Sequence, residues 1–97
     1  MYLEIVSPEA TLFSSEIDSV SLPGISGEFQ LLKDHAAIVS LLKEGTIKIH
    51  THTQSHLAFD TLHSEVVTHP DNDKVLTLKI NSGTVEMKDN KVIILVD

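Results

Sequence analysis

The sequence predicts an all-β fold, an antiparallel β-sandwich or flattened barrel of about 8–10 short strands. Apolar and polar residues alternate in short stretches such as Thr46 to His50 and Leu76 to Ile80, which is typical of strands with one buried face. Turn residues separate these stretches: Pro23-Gly24, Ser26-Gly27, Glu44-Gly45, Pro70 to Asp73, Ser82-Gly83 and Asp89-Asn90. No long stretch carries the period of a helix.

Nine stretches are predicted to be strands: Leu3–Ser7, Thr11–Leu22, Glu28–Lys33, Ala37–Leu42, Thr46–Thr53, His56–Val66, Lys74–Asn81, Thr84–Lys88 and Lys91–Val96. The fourth has an alternative, because Ala and Leu favour helix and Asp34 could cap a helical turn there. The β-branched pair Ile38-Val39 and the nearby Gly45 favour a strand.

Two stretches depart from simple alternation. Val92 to Val96 is apolar at every position, so we expect both faces of this strand to be covered, either within its own domain or by a partner. The polar, His-rich stretch around residues 50–81 predicts an extended hairpin with its turn near Pro70 to Asp73.

Length and composition limit the possible functions. The chain has 97 residues, so we expect a single domain over residues 1–97. Seven Lys, no Arg and 14 acidic residues give a net charge of −7, which disfavours a nucleic-acid partner and excludes an arginine finger. The longest apolar run, Val92 to Val96, is too short to cross a bilayer, so no direct membrane insertion is expected.

Candidate chemistry is sparse. No Cys, no phosphate-binding loop and no nucleophile elbow is present, so we predict no catalytic residue and no cofactor. His50 and His52 would share one face of a strand, which is a known arrangement for metal ligands. No carboxylate follows at the offset that cupins use; Asp60 is the nearest downstream. A small metal-binding, cupin-like barrel that uses His50 and His52 therefore stays as the alternative function.

The segment from Leu22 to Ala36 is the most informative one. Pro23-Gly24 suits a type II turn, and Gly27 can supply a second position with positive φ. Phe29 and Leu31 would then point to one face of the next strand. Gly and Pro occur in many turns, but this particular order of residues is not that of an ordinary loop.

This order resembles the N-terminal domain of the epsilon subunit of F-type ATP synthases. The resemblance rests on residues 1–49 and 82–97, with these matching motifs: Val6-Ser7-Pro8-Glu9, Leu12-Phe13-Ser14, Leu22 to Phe29, His35-Ala36, Lys43-Glu44-Gly45, Gly83 to Met87 and Val92 to Asp97. Lys33 and Ala37 replace prolines that usually flank the His-Ala pair, and Gln30 replaces a common Gly.

The resemblance implies a non-catalytic subunit of the central stalk, bound to the gamma subunit and to the loops of the c-subunit ring. It implies that Glu28 faces the c-ring and that His35 and Ala36 face gamma. It implies a peripheral location at the cytoplasmic face of the bacterial inner membrane, with protons or sodium ions as the coupling ion. The family's C-terminal helical hairpin would begin where this sequence ends, so no C-terminal helical domain is expected.

Overall fold

The computed structural model describes residues 1–51, 67–69 and 72–97 of the chain. This part contains strands and no helix, which confirms the all-β prediction. The ten strands are β1 Tyr2–Val6, β2 Thr11–Glu16, β3 Ser19–Gly24, β4 Gly27–Leu32, β5 Ile38–Leu42, β6 Gly45–His50, β7 Val67–His69, β8 Asn72–Ile80, β9 Gly83–Lys88 and β10 Lys91–Val96.

All ten strands join one curled sheet. The order is β2-β1-β10-β9-β5-β3-β6-β8-β7, and β4 pairs with β3. Strand β3 links two halves, since Ser19 to Ser21 pair with β6 whereas Gly24 pairs with Leu42 of β5. We name β2-β1-β10-β9-β5 the terminal half-sheet and β4-β3-β6-β8-β7 the central half-sheet.

One strand pair departs from the antiparallel arrangement of the others. β1 and β10 run parallel, with Leu3 opposite Val92 and Ile5 opposite Ile94. Parallel neighbours need a long connection, and here nearly the whole chain lies between the two strands. Every other pair among the described strands is antiparallel.

The predicted strand Thr11–Leu22 is wrong as a single element. It divides into β2 and β3 at Ile17 and Asp18, where the backbone leaves one half-sheet for the other. The Ile17 N–H donates to the Met1 carbonyl over 2.8 Å, and the Asp18 N–H donates to the His50 carbonyl over 2.8 Å. No Gly or Pro marks this break, so distant backbone partners determine it.

The turn of the β3–β4 hairpin lies two residues later than expected. Pro23 and Gly24 are the last residues of β3, and Ile25-Ser26 connect the paired Gly24 and Gly27. Gly27 has φ 133°, a conformation that side chains rarely adopt, so its predicted positive φ is confirmed. The type II turn predicted at Pro23-Gly24 is wrong, because the strand pairing extends through both residues.

Two other predicted features are confirmed. Residues Ile38 to Leu42 form strand β5 and not a helical turn, because their backbone pairs with β9 along its length. The turn at Asp89-Asn90 joins β9 to β10, and both residues have positive φ, 52° and 61°. Two successive positive-φ residues are the signature of the type I′ turn, whose twist suits a hairpin.

The core lies between the two half-sheets. Its fully buried residues include Leu3, Ile5, Leu22, Leu31, Ile47, Ile49, Leu76, Leu78, Met87 and Ile94. Gly83 has a packing role at the rim, since a Cβ there would lie 2.5 Å from the Leu95 carbonyl oxygen. The core therefore draws on all parts of the described chain, and its stability depends on contacts between distant residues.

The predicted hairpin around residues 50–81 is described only in part. β7 and β8 pair antiparallel, with Val67 opposite Thr77 and a register shift between Thr68 and His69. The predicted strand His56–Val66 and the turn residues Pro70-Asp71 lie outside the described residues, as does His52.

Candidate partner-binding surfaces

The predicted histidine pair is described at one position only. His50 ends β6, where it is partly buried, and the neighbouring Thr51 is buried. Within residues 1–51, 67–69 and 72–97, no three His, Asp or Glu residues are grouped so that they could hold a metal ion. His52, its proposed partner, falls outside these ranges.

Large apolar side chains are exposed on the outer face of the terminal half-sheet. Val39 and Leu41 of β5 are 76% and 62% exposed, and Leu95 of β10 is 54% exposed. Leu41 and Leu95 both pair with Thr84 of β9, so they share one face on either side of it. We call Val39, Leu41 and Leu95 the apolar strip.

Strand β10, which is apolar from Val92 to Val96, is not covered on both faces. Val92, Ile94 and Val96 are buried in the core, but Leu95 projects outward and is more than half exposed. Burial of both faces of β10 within its own domain is therefore wrong. Leu95 is therefore accessible to a partner, together with the exposed side chains of β5.

A groove extends the apolar strip towards one end of the sandwich. It has a volume of about 720 Å³, and Val6, Pro8, Ile25, Leu41 and Leu95 line it. Ile25 comes from the β3–β4 turn and is 59% exposed. The β3–β4 hairpin of the central half-sheet therefore lies beside the apolar strip. A partner bound to the strip could contact both half-sheets.

Carboxylates border the apolar strip. Val39 pairs with Glu86, Glu86 pairs with Ile93, and Ile93 pairs with Glu4, which puts these four residues in one row across the sheet. Glu86 is exposed and Glu4 is partly buried. A complementary partner would present apolar side chains with basic groups beside them.

His35 and Ala36 lie in the exposed connection between β4 and β5, which leads directly into the apolar strip. Asp34 has φ 64°, and its side chain and backbone are held by Asn90 from the β9–β10 turn. The His35 N–H donates to the Leu32 carbonyl over 3.1 Å. His35 Nδ1 lies 2.7 Å from the Ala36 carbonyl oxygen.

Glu28 lies elsewhere, on the outer face of the central half-sheet. It is in β4 opposite Pro23 of β3. Its Oε1 is 3.6 Å from Lys48 Nζ, and the two side chains are 57% and 43% exposed. Pro23, Lys43 and Thr46 join them around a cleft of about 370 Å³. An exposed ion pair of this kind contributes at most about 1 kcal/mol to stability, so both charges remain available to a partner.

Two features of these surfaces were not predicted from the sequence. Val39 and Leu41 were assigned to a strand but not to a surface, although β5 is apolar at four of its five positions. In a strand, such a pattern puts apolar side chains on both faces. The hydrogen bonds between Asp34 and Asn90 join residues 56 positions apart, and no local sequence pattern indicates them.

Within residues 1–51, 67–69 and 72–97, no helix has the length and apolar character that crossing a membrane requires.

Comparison with known proteins places the chain in a family. A family model described as "ATP synthase, Delta/Epsilon chain, beta-sandwich domain" matches residues 1–61. The ATP synthase epsilon chain of Campylobacter curvus is 36% identical over 97 residues, which cover 100% of this chain and 60% of that relative. The epsilon chain of Campylobacter jejuni strain 81-176 is 44% identical over 77 residues, 77% of this chain and 57% of that relative. The chain thus spans 60% or less of the length of these relatives.

Solved structures share the fold. A chain of the Tetrahymena thermophila mitochondrial ATP synthase central stalk and c-ring matches with a TM-score of 0.70 and 12% identity, covering 98% of this chain and 61% of that one. A chain of the Euglena gracilis mitochondrial ATP synthase matches with a TM-score of 0.72 and 16% identity, covering 97% and 48%. With the family model matching well over half of its residues, this chain belongs to the β-sandwich family of the ATP synthase delta and epsilon chains.

Proposed function

We propose that the chain is a non-catalytic rotor subunit of a proton- or sodium-translocating F-type ATP synthase. It would couple rotation of the c-subunit ring to the gamma subunit. It would act as a peripheral part of the complex at the cytoplasmic face of a bacterial inner membrane. Family membership supports this role over a cupin-like metal protein. The observation that carries it is the apolar strip, which exposes three large apolar side chains and directly follows the His35-Ala36 connection.

The apolar strip and its neighbours fit the gamma contact. Val39, Leu41 and Leu95 supply apolar area that leaves water on binding, at roughly 25 cal/mol for each Å² buried. The small side chain of Ala36 would let a partner's backbone approach closely, and His35 beside it can donate or accept a hydrogen bond. Glu4 and Glu86 would meet basic groups and set the orientation of the partner.

His35→Ala is expected to weaken binding to the gamma subunit by roughly 5- to 30-fold, the range of a moderate interface residue. The effect arises from loss of the imidazole contact, since His35 is exposed and its removal leaves the core intact. Isothermal titration calorimetry with folded gamma measures it. His50→Ala on the central half-sheet is the control and should leave the affinity unchanged. Failure of the unaltered chain to bind gamma at micromolar concentration contradicts the proposed function.

Glu28 is the proposed contact for the polar loops of the c-ring. Its carboxylate is exposed and already accompanied by Lys48, so it can exchange this partner for a basic loop residue at little cost. Individual exposed ion pairs are weak, so the c-ring contact requires several groups acting together.

Glu28→Gln is expected to reduce binding of the gamma-bound chain to c-rings in liposomes by a factor of up to about five, and to flatten the dependence on salt. Co-sedimentation across a salt series measures both. Glu9→Gln, at an exposed site in the β1–β2 connection, makes the same change of charge and serves as the control. Equal loss in the two variants would show that net charge matters and that Glu28 has no specific role.

A further inference from the structure

The connection between β4 and β5 contains an uncommon backbone conformation. Asp34 has φ 64°, in the left-handed region that a non-glycine residue adopts at a cost. Lys33 and Ala37 flank the segment, so no proline ring restricts φ on either side of His35-Ala36. All five residues from Lys33 to Ala37 are exposed. Burial therefore does not hold the segment in place, and its conformation depends on specific bonds.

Asn90 supplies two of these bonds. The Asp34 N–H donates to Asn90 Oδ1 over 2.6 Å, and Asn90 Nδ2 donates to Asp34 Oδ1 over 2.7 Å. One amide side chain thus satisfies both the backbone and the carboxylate of Asp34. Because the two bonds act on the same residue from one rigid group, they restrict both its position and its rotation.

Asn90 is itself fixed to the sheet. It occupies the second position of the type I′ turn with φ 61°. Its carbonyl accepts a hydrogen bond of 2.9 Å from the Tyr2 N–H at the start of β1. The amide that holds Asp34 therefore projects from a point anchored by two strands of the terminal half-sheet, β1 and β10.

We propose that Asn90 is a positioning residue for partner binding. By holding Asp34 in the left-handed conformation, it sets the direction in which His35 and Ala36 leave β4. This presents them beside the apolar strip. The part of this inference that concerns the partner rests on the proposed gamma contact. The part that concerns the loop does not.

A matched pair of glycine substitutions tests the loop. Asn90→Gly and Asp89→Gly both place glycine at a positive-φ position of the same turn, but only the first removes the bonds to Asp34. We expect the His35 amide to exchange with solvent roughly tenfold faster in Asn90→Gly, and to be nearly unchanged in Asp89→Gly. Hydrogen exchange followed by NMR measures this. Equal exchange rates in the two variants would overturn the inference.

A double-mutant cycle tests the link to the partner. Asn90→Gly should weaken gamma binding roughly tenfold in the unaltered background and by much less when His35 is already alanine. Full additivity would show that Asn90 does not act through His35, which overturns its positioning role. If His35→Ala alone leaves the affinity unchanged, the proposed gamma contact through His35 fails instead, and the exchange rates still decide whether Asn90 holds the loop.

Discussion

Ile94→Ala is expected to lower the free energy of unfolding by about 2–5 kcal/mol, because it removes a fully buried side chain and leaves a cavity. Ile94 lies in β10 between Ile5 of β1 and Val85 of β9, all with no more than 1% of their surface exposed. Backbone pairing on both sides restricts how far the neighbours can collapse into the space. The loss is a large fraction of the roughly 5–15 kcal/mol that stabilises a typical domain.

The adjacent residue provides the control for Ile94. Leu95→Ala removes a side chain of the same volume from the same strand, but from the exposed face, so stability should change by less than about 0.5 kcal/mol. Urea unfolding followed by far-ultraviolet circular dichroism measures both variants, since the chain has no Trp and one Tyr. If Ile94→Ala fails to fold, Ile94→Val with an expected loss of about 0.5–1.5 kcal/mol takes its place. Similar losses at positions 94 and 95 would contradict the assignment of faces in β10.

Leu41→Glu is expected to weaken gamma binding by about 30-fold or more, the effect of losing a central contact of an interface. Leu41 is the middle member of the apolar strip and also lines the groove. A glutamate there would lose apolar contact area and would bury a charge against the partner without a counter-ion. Since Leu41 is 62% exposed in the free chain, the thermal midpoint of unfolding should change little.

The chain offers a closely matched control in Leu32→Glu. Leu32 is 54% exposed and is also in a strand, but it lies in β4 of the central half-sheet. Its hydrogen bond with the His35 N–H uses the backbone carbonyl, which the substitution keeps. The two variants have the same composition and net charge, so non-specific electrostatic effects on affinity should be equal. Calorimetric titration with gamma compares them. An affinity for Leu41→Glu equal to that of the unaltered chain would show that the apolar strip is not the gamma-binding surface.

The variants at positions 94, 95 and 41 separate folding from binding. Ile94→Ala should act on stability, Leu41→Glu on affinity, and Leu95→Ala on affinity with little change of stability. This separation follows from the period of two in a strand, which puts neighbouring residues on opposite faces. If the outer face of the terminal half-sheet contacts only solvent, Leu41→Glu and Leu95→Ala should leave the affinity for gamma unchanged.

Local sequence patterns were enough to predict the strand class, most turns and the family. The alternation in Thr46 to His50 and Leu76 to Ile80 depends on local chemistry, and so does the tolerance of Asp89-Asn90 for positive φ. The positive φ of Gly27 belongs to the same category, whereas the type II turn predicted at Pro23-Gly24 was wrong. Such features are encoded within a few residues, because turn conformation and the two-faced nature of a strand are local properties.

The neighbour that each strand meets depends on long-range contacts and could not be predicted from local patterns. The break at Ile17-Asp18 depends on the distant Met1 and His50 carbonyls, and the parallel pairing joins β1 to β10 from opposite ends of the described chain. In the same way, the composition of Val92 to Val96 did not reveal that Leu95 is exposed, and nothing near Asp34 in sequence indicated Asn90. The physical reason is that periodicity gives a strand two faces, whereas contacts between distant residues decide which face is covered and what covers it.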